Sequence, residues 1–301
     1  MALQVQRPGF GFLPDPLWTF ESARAVVLPV PFERSTTGGK GTASAPDSII
    51  QASDIIETFD EERGIEVGEV GIATLEPLPV ARTTPREMGV LVDEAVTDVL
   101  RQGRFPLLLG GEHTVTPPAV AAVARHLGEK PTLVQIDAHA DLRESYQDDE
   151  FSHACAMRLS LPYVKELVQI GIRAVSREEH EFLRGKKGSP EVPRICTFID
   201  GTSRMEDILA KLASIRGPVY LTVDMDGFDP SLVPGVGTPE PGGISWADGC
   251  AIVKTLCCNA DLVAADVVEL LPIPGLLASQ VTAAKLIWRI FSWKFFGEGG
   301  R

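Results

Sequence analysis

The sequence contains few cysteines, and their arrangement excludes two kinds of site. Five occur among 301 residues: Cys155, Cys196, Cys250, Cys257 and Cys258. Their number is odd, their spacing is uneven and no Cys-x-x-Cys pair is present, so neither a disulfide framework nor a zinc knuckle is indicated. A reducing compartment fits this pattern, and we expect a cytoplasmic protein.

The sequence is also poor in positive charge. Lys and Arg together number 28 against 41 Asp and Glu, which gives a formal net charge of -13. Such a balance argues against binding to the phosphate backbone of nucleic acids and suits a metal ion or a small cationic molecule. We therefore expect no nucleic-acid partner.

Long uninterrupted apolar segments are missing. The N-terminus lacks an apolar signal core, and residues 286–296 are interrupted by Arg289 and Lys294. The sequence thus predicts neither export nor a membrane span. Internal repeats, low-complexity tracts and linkers are missing as well, while a hydrophobic fraction of 44% is ample for a core. We predict a single domain over residues 1–301.

Apolar strand-like segments and amphipathic helix-like segments alternate along the chain. Strands are expected, for example, at residues 23–30, 67–72, 105–109 and 262–270. A helix is expected to begin at residues 84–87 (TPRE), where a capping box coincides with proline at the first helical position. This alternation predicts an α/β fold with a doubly wound parallel sheet and helices on both of its faces.

The most informative segment is residues 132–141 (TLVQIDAHAD), an apolar strand that leads into polar residues at alternate positions. Because alternate residues of a strand point to one face, Asp137, His139 and Asp141 should converge. Two carboxylates and an imidazole held close together favour a bound cation between them. The alternative is a solvated loop after a strand. A second segment of the same kind, residues 219–226 (VYLTVDMD), ends in Asp224 and Asp226 and favours the metal.

A sixth potential ligand, His113, lies in the turn Gly110-Gly111-Glu112-His113 after another predicted strand. Carboxyl ends of strands are where open α/β sheets bind ligands. Four carboxylates and two imidazoles are too many for one tetrahedral zinc ion and suit two hard or borderline divalent ions, with Mn²⁺ favoured. Two such ions lower the pKa of a shared water molecule and so supply hydroxide, the nucleophile of a hydrolase.

Three motifs together resemble the ureohydrolase family, which contains arginase and agmatinase. They are GGEH at residues 110–113, DAHAD at 137–141, and DMDGFDP at 224–230 with its continuation PGVGTPEPGG at 234–243. The resemblance implies a three-layer αβα sandwich around a parallel sheet of about eight strands. It also implies a dinuclear manganese site, hydrolysis of a guanidino group to urea and an amine, and a homo-oligomer, either a trimer or a hexamer.

The resemblance also implies a role for each site residue. Asp137 and Asp224 match the bridging carboxylates, and the remaining ligands divide into His113 with Asp141 for one ion and His139 with Asp226 for the other. Asp141 also matches a residue that contacts the bridging hydroxide.

Two further residues match catalytic positions of the family. His153 matches a histidine that passes a proton to the leaving amine, the alternative being a helix-capping or buried structural histidine. Glu269 matches the carboxylate that holds the guanidinium, the alternative being an ordinary glutamate at a strand end. The sequence departs from the family at Leu271, where the usual motif has asparagine.

The predicted substrate is agmatine, which would yield urea and putrescine and place the protein in polyamine biosynthesis. The segment around residues 137–155 is similar to the agmatinase branch, and its acidic residues Glu144, Asp148, Asp149 and Glu150 would favour a free ammonium group over a carboxylate. Arg143 argues the other way, because it could pair with an acid such as guanidinobutyrate.

Three alternatives to an agmatinase stay open. The first is another ureohydrolase, acting on guanidinobutyrate, guanidinopropionate or arginine. The second is a metal-dependent amide deacetylase with one zinc ion. The third is a metal-stabilised scaffold or interaction protein without enzymatic activity.

Overall fold

A computed structural model describes residues 4–185 and 192–297 of the chain. Its strands are β1 Ala25–Val30, β2 Phe59–Asp60, β3 Ile65–Glu66, β4 Ile72–Thr74, β5 Phe105–Gly110, β6 Thr132–Ile136, β7 Glu166–Ile172, β8 Arg194–Ile199, β9 Pro218–Asp224 and β10 Asp261–Val268. Its helices are α1 Ala45–Ala52, α2 Pro85–Arg101, α3 Thr116–Leu127, α4 Ala156–Ser160, α5 Arg177–Gly185, α6 Met205–Ser214, α7 Trp246–Asn259 and α8 Ala278–Phe296. Among these helices, none is long and apolar enough to cross a lipid bilayer.

Eight strands form one sheet in the order β4-β1-β5-β10-β9-β6-β7-β8, and every pairing within it is parallel. The short strands β2 and β3 form a separate antiparallel pair. The sequence prediction of a parallel sheet of about eight strands is confirmed.

The sheet separates two layers of buried apolar side chains. Alternate residues of a strand enter opposite layers, as Val27 and Val26 of β1 do. One layer includes residues of α1, α6, α7 and α8, and the other includes residues of α2, α3 and α4. The fold is therefore a three-layer αβα sandwich, as the family resemblance implied.

Local signals in the sequence set several helix ends. At α2, the Thr84 hydroxyl accepts a hydrogen bond from the Glu87 backbone N–H at 3.3 Å, and the Glu87 carboxylate accepts one from the Thr84 N–H at 2.8 Å. This is the predicted capping box. At the C-terminal end of another helix, α3, Gly128 has φ of 69°, a left-handed conformation that glycine adopts without steric cost.

The prediction of a strand over residues 67–72 is wrong. The segment forms a 3₁₀ turn, Val67–Val70, and strand β4 begins only at Ile72. Between them Gly71 has φ of 71°, and a Cβ atom there would lie 2.8 Å from the Ser22 carbonyl oxygen. The chain needs glycine at this position to enter the sheet, and this need is set by a contact that is distant in the sequence.

Four neighbouring strands in the middle of the sheet, β5, β10, β9 and β6, position the candidate site. His113 lies shortly after β5, Glu269 directly after β10, Asp224 at the end of β9 and Asp137 directly after β6. Because parallel strands end at the same edge of the sheet, these side chains meet there.

Candidate metal centre

Three carboxylates surround the imidazole of His113. Its Nδ1 lies 3.3 Å from an oxygen of Asp137, 3.1 Å from one of Asp141 and 3.4 Å from one of Asp224. The imidazole is fully buried, and among the described residues its Nδ1 has no hydrogen-bond partner. A buried, unsatisfied nitrogen facing three carboxylates fits a metal ligand.

A second group of potential ligands contains His139, whose Nδ1 lies 3.1 Å from an oxygen of Asp226 and 3.7 Å from one of Asp137. Within this group, and within the group formed by His113, Asp137 and Asp224, the ligand atoms lie within 4.8 Å of one another. Asp137 belongs to both groups. The arrangement thus suits two ions that share a carboxylate.

Backbone hydrogen bonds fix the two segments that carry these carboxylates. The His139 N–H donates to Asp137 at 2.6 Å, and the Asp226 N–H donates to Asp224 at 2.9 Å. The Ala138 N–H donates to Asp226 at 3.1 Å and so joins the segments. Each carboxylate that follows a strand therefore bonds the backbone two residues later, which bends the chain and turns alternate side chains inward.

The charges of the cluster perturb one another strongly. Burial raises the pKa of Asp224 well above its usual value, and the nearby charges of Asp226 and Asp137 add to the effect. Burial and the charge of Asp137 raise the pKa of Asp141 to about 6. Burial alone would lower the pKa of His139, but its hydrogen bonds to Asp137 and Asp226 raise it to about 12. These shifts follow from placing several ionisable groups in one buried cluster, and a divalent cation would offset the repulsion between the carboxylates.

His153 lies in the 3₁₀ turn His153–Cys155, directly before α4. Its Nδ1 is 3.4 Å from an oxygen of Glu269, and its Nε2 is 2.9 Å from the Thr37 hydroxyl. Burial alone would lower the pKa of His153, but the hydrogen bond and charge of Glu269 raise it to about 9. The structure thus brings together the two residues that the sequence analysis assigned to proton transfer and guanidinium binding.

Glu269 is buried and has a left-handed backbone conformation with φ of 60°. Its Oε1 accepts a hydrogen bond from the His113 backbone N–H at 2.7 Å, and its own N–H donates to the Gly111 carbonyl at 2.8 Å. Leu271, the departure from the family motif, packs against Gly39 and Gly41. The support of Glu269 therefore comes from the Gly111–His113 turn.

The sequence analysis missed several residues that hold the site. Glu112, fully buried, accepts hydrogen bonds from the backbone N–H groups of Arg34 and Ser35 at 2.6 and 2.7 Å and from the Ser35 hydroxyl at 2.9 Å. Ser35 in turn accepts a hydrogen bond from the His153 N–H at 2.8 Å. Glu112 stands next to His113 in a recognised motif, which is the signal that could have found it.

Two more supporting residues lie beside Asp226. The Thr238 hydroxyl donates to its carboxylate at 3.1 Å, and the Arg173 guanidinium donates to its backbone carbonyl at 2.7 Å. Thr238 lies in the motif of residues 234–243, and Arg173 directly follows β7. Position at a strand end is the only sequence signal for Arg173.

The site opens into a cavity of about 480 Å³. Charged and aromatic residues of its lining include Arg143, Tyr146, Arg173, Glu179 and Glu240. The acidic side chains at 144 and 148–150, which the sequence analysis placed near the substrate, do not line this cavity, and the same loop presents Arg143 and Tyr146 instead. Loop composition was a poor guide here because neighbouring loop residues point in different directions.

The chain is similar in sequence to enzymes of known name. A model of the Arginase family matches residues 23–292. An N(1)-aminopropylagmatine ureohydrolase of Synechocystis sp. is 34% identical over 297 residues, which cover 95% of this chain and 94% of the relative. A protein of the same name from Thermus thermophilus is 37% identical over 280 residues, with 93% of both chains covered.

The fold is similar to a solved structure as well. The crystal structure of an agmatine ureohydrolase of Thermoplasma volcanium has a TM-score of 0.82 and 30% sequence identity, and the match covers 93% of this chain and 94% of that one. Sequence, fold and site geometry agree, and the chain belongs to the arginase family.

Proposed function

We propose that the protein hydrolyses the guanidino group of agmatine or its N(1)-aminopropyl derivative to urea and an amine. The observation that carries this proposal is the pair of potential ligand groups sharing Asp137, next to the contact between His153 and Glu269. A metal centre and a proton donor beside a carboxylate are the parts needed to cleave a cationic guanidino group.

The proposed cofactor is a pair of Mn²⁺ ions. His113 and Asp141 would complete one site and His139 and Asp226 the other, with Asp137 and Asp224 bridging. The chemistry that such ions would supply is a lowered pKa of a bound water molecule, and so a source of hydroxide near neutral pH. The mixed oxygen and imidazole donor set suits manganese.

Glu269 is proposed to orient the substrate. A planar guanidinium carries N–H donors that match the oxygens of a carboxylate. One oxygen of Glu269 is engaged by the His113 N–H, and its other oxygen makes no hydrogen bond among the described residues. The charge of Glu269 would therefore hold the substrate cation next to a positively charged metal centre, where it would otherwise be repelled.

His153 is proposed to supply the proton for the leaving amine. With a pKa of about 9, its imidazole carries that proton at neutral pH. The ring is fixed by Glu269 at Nδ1 and by Thr37 at Nε2, and it lines the cavity. A fixed, protonated donor at the cavity wall can pass its proton to a leaving nitrogen without waiting for solvent.

The two substrate candidates differ by one aminopropyl group. Both are cations without a carboxylate, in keeping with the net charge of -13. The names of the Synechocystis and Thermus relatives favour the longer compound, and the name of the Thermoplasma structure favours agmatine. The acidic residues of the loop do not line the cavity and so favour neither compound. Glu240 does line it: its backbone carbonyl accepts hydrogen bonds from Arg173, while its carboxylate has no hydrogen bond or ion pair among the described residues.

A substrate panel tests the proposal. Urea release would be measured with agmatine, N(1)-aminopropylagmatine, arginine, guanidinobutyrate and guanidinopropionate under the same Mn²⁺ concentration. We expect the two amines to give the highest kcat/KM. A preference for one of the acids would contradict the proposal, and hydrolysis of an acetylated amine with a single bound zinc ion would favour the deacetylase. Metal that restores stability but no turnover would favour the scaffold.

We also propose that residues 1–301 act as one domain in a trimeric or hexameric enzyme of the cytoplasm. The family match over residues 23–292 supports one domain. Light scattering coupled to gel filtration would test the oligomeric state, and a monomer at micromolar concentration would contradict it.

A further inference from the structure

Five polar side chains form a line across the sheet directly beneath the metal centre. Strand register pairs them one after another from β8 to β10: Thr197, Gln169, Gln135, Thr222 and Asp266. We refer to these five residues as the polar row. Four of them are fully buried, in the middle of a parallel sheet where apolar residues are expected. Two of them, Gln135 and Thr222, precede the ligands Asp137 and Asp224 by two residues and share their face of the sheet.

One half of the polar row ends on Asp137. The Thr197 hydroxyl donates to the Gln169 carbonyl oxygen at 2.8 Å, and the Gln169 amide donates to the Gln135 carbonyl oxygen at 2.7 Å. The Gln135 amide then donates to Asp137 at 2.6 Å and to the His139 carbonyl at 3.2 Å. Each amide is thereby fixed in one orientation, with its donor end towards the ligand segment.

The other half ends on His113. The carboxylate of Asp266 accepts hydrogen bonds from three hydroxyls: Thr222 at 2.6 Å, Tyr220 at 2.7 Å and Thr116 at 2.8 Å. The Thr222 hydroxyl has one proton, and it donates that proton to Asp266. Towards the His113 Nε2, which lies 2.9 Å away, the hydroxyl oxygen can therefore only accept a hydrogen bond. The proton of a neutral His113 is then on Nε2, and the lone pair of Nδ1 faces Asp137, Asp141 and Asp224.

We propose that the polar row positions two metal ligands: Thr222 and Asp266 orient His113, and Gln135 and Gln169 orient Asp137. All four are positioning residues, because they act through the ligands. The two halves should have different effects. His113 belongs to one ligand group, so loss of its support should weaken one ion, whereas Asp137 belongs to both groups, so loss of its support should weaken both.

The first test compares Thr222→Val with Thr222→Ser. Mn²⁺ is titrated into metal-free protein, and the free ion is counted by its electron paramagnetic resonance signal. Valine keeps the shape of threonine but has no hydroxyl, and we expect one ion to bind about 10- to 100-fold more weakly while the other binds as in the parent. Serine keeps the hydroxyl and should restore binding to near the parent level.

Thr116→Val is the matched control, because it removes a different hydroxyl from the same Asp266 carboxylate and leaves the Thr222 bond to His113 in place. We expect near-parent affinity for both ions. Equal losses in Thr116→Val and Thr222→Val would overturn the proposal, as would unchanged binding in Thr222→Val. If Thr222→Val does not fold, Thr222→Cys gives the same comparison, because a thiol is only a weak acceptor.

The second test is Gln135→Met, which keeps the length of the side chain and removes its amide. Both ions should bind about 10- to 100-fold more weakly, and loss of one ion alone, or of neither, would overturn this half of the proposal. The inference rests on the metal centre of the proposed function. A parent protein that binds no Mn²⁺ would refute that function. If the parent binds two ions and the variants bind them equally well, only the role of the polar row is refuted.

Discussion

At the residue scale, each functional side chain is held in place by a polar contact with another part of the chain. His113 is fixed at Nε2 by Thr222 and presents Nδ1 to the carboxylates. Glu269 is fixed at Oε1 by the His113 N–H. His153 is fixed at Nε2 by Thr37 and faces Glu269 with Nδ1. A side chain held in this way loses little further entropy when it binds its ligand, which favours precise placement.

The first prediction concerns His153→Ala. Because His153 contacts Glu269 and Thr37 but belongs to neither potential ligand group, the metal content and the folded structure should be retained. We expect kcat to fall by about 10²- to 10⁴-fold, the usual effect of removing a positioned acid. Urea release and elemental analysis on one sample would measure both, and near-parent turnover at every pH would remove His153 from the mechanism.

The second prediction is a pH dependence of stability. Pairing with Glu269 raises the pKa of His153 from its usual 6.5 to about 9 in the folded protein. Protonation therefore favours the folded state, and this contribution is complete below pH 6.5 and lost as the pH rises through 9. We expect the difference in unfolding free energy between the parent and His153→Ala to shrink between pH 6.5 and 9. Urea denaturation at several pH values would measure it, and a constant difference would contradict the pairing.

The third prediction concerns Glu269→Gln, which keeps the shape of the side chain and removes its charge. We expect kcat/KM to fall by about 10²-fold or more, with both metals retained, because Glu269 lies outside both ligand groups. Initial rates with agmatine and a metal count would test this. Hydrolysis at the parent rate would mean that another acid, such as the cavity residue Glu240, holds the substrate.

At the scale of elements, the site depends on how the loop after β1 joins the turn after β5. Glu112 from the turn binds the N–H groups of Arg34 and Ser35, and the same loop supplies Thr37 to His153. A loop has no regular hydrogen bonds of its own, so one buried carboxylate that accepts several donors sets its path.

The fourth prediction follows from this contact. In Glu112→Gln an amide NH₂ group replaces one of the two carboxylate oxygens, so a donor would face the donors of Arg34 and Ser35. We expect the unfolding free energy to fall by about 1–3 kcal/mol. The kcat should fall as well, because the loop carries two contacts of His153. Glu144→Gln, which changes an exposed acid, is the control and should leave both quantities unchanged. Denaturant unfolding and initial rates would measure them, and a stable, fully active Glu112→Gln would show that the loop holds its path without this carboxylate.

At the scale of the whole molecule, the potential ligands come from three separate parts of the chain, around residues 113, 137–141 and 224–226, and parallel pairing brings them together. The site therefore exists only in the folded protein. Any ion bound there stabilises the fold by mass action, since the unfolded chain offers no such cluster.

The fifth prediction concerns metal removal. At a free Mn²⁺ concentration about 100 times Kd, each site contributes about 2.7 kcal/mol to the unfolding free energy, so chelation should lower the melting temperature. The Asp224→Asn variant is the control, because it changes a proposed bridge and its melting temperature should respond little to Mn²⁺. Calorimetry with and without chelator would measure both. An equal response of parent and variant would place the stabilising ion elsewhere.

The sequence alone determined the features that depend on neighbouring residues. The alternation of apolar strands with helices and the capping box at Thr84 were predicted and are found. The strand-end pattern selected all six potential ligands, and the structure places them together. The family and the enzyme class followed from motifs of the same local kind.

Tertiary structure alone decided which strands are neighbours and which way the loops face. The insertion of β10 between β5 and β9 brings Asp266 next to Thr222 and Glu269 next to His113. The direction of the loop at residues 143–150, which turns Arg143 and Tyr146 into the cavity, and the glycine required at position 71 were not predictable from their neighbours in sequence. Periodicity and capping act over a few residues, whereas strand order, loop path and buried polar pairs depend on contacts between distant segments, such as the contact between Thr116 and Asp266, which are 150 residues apart.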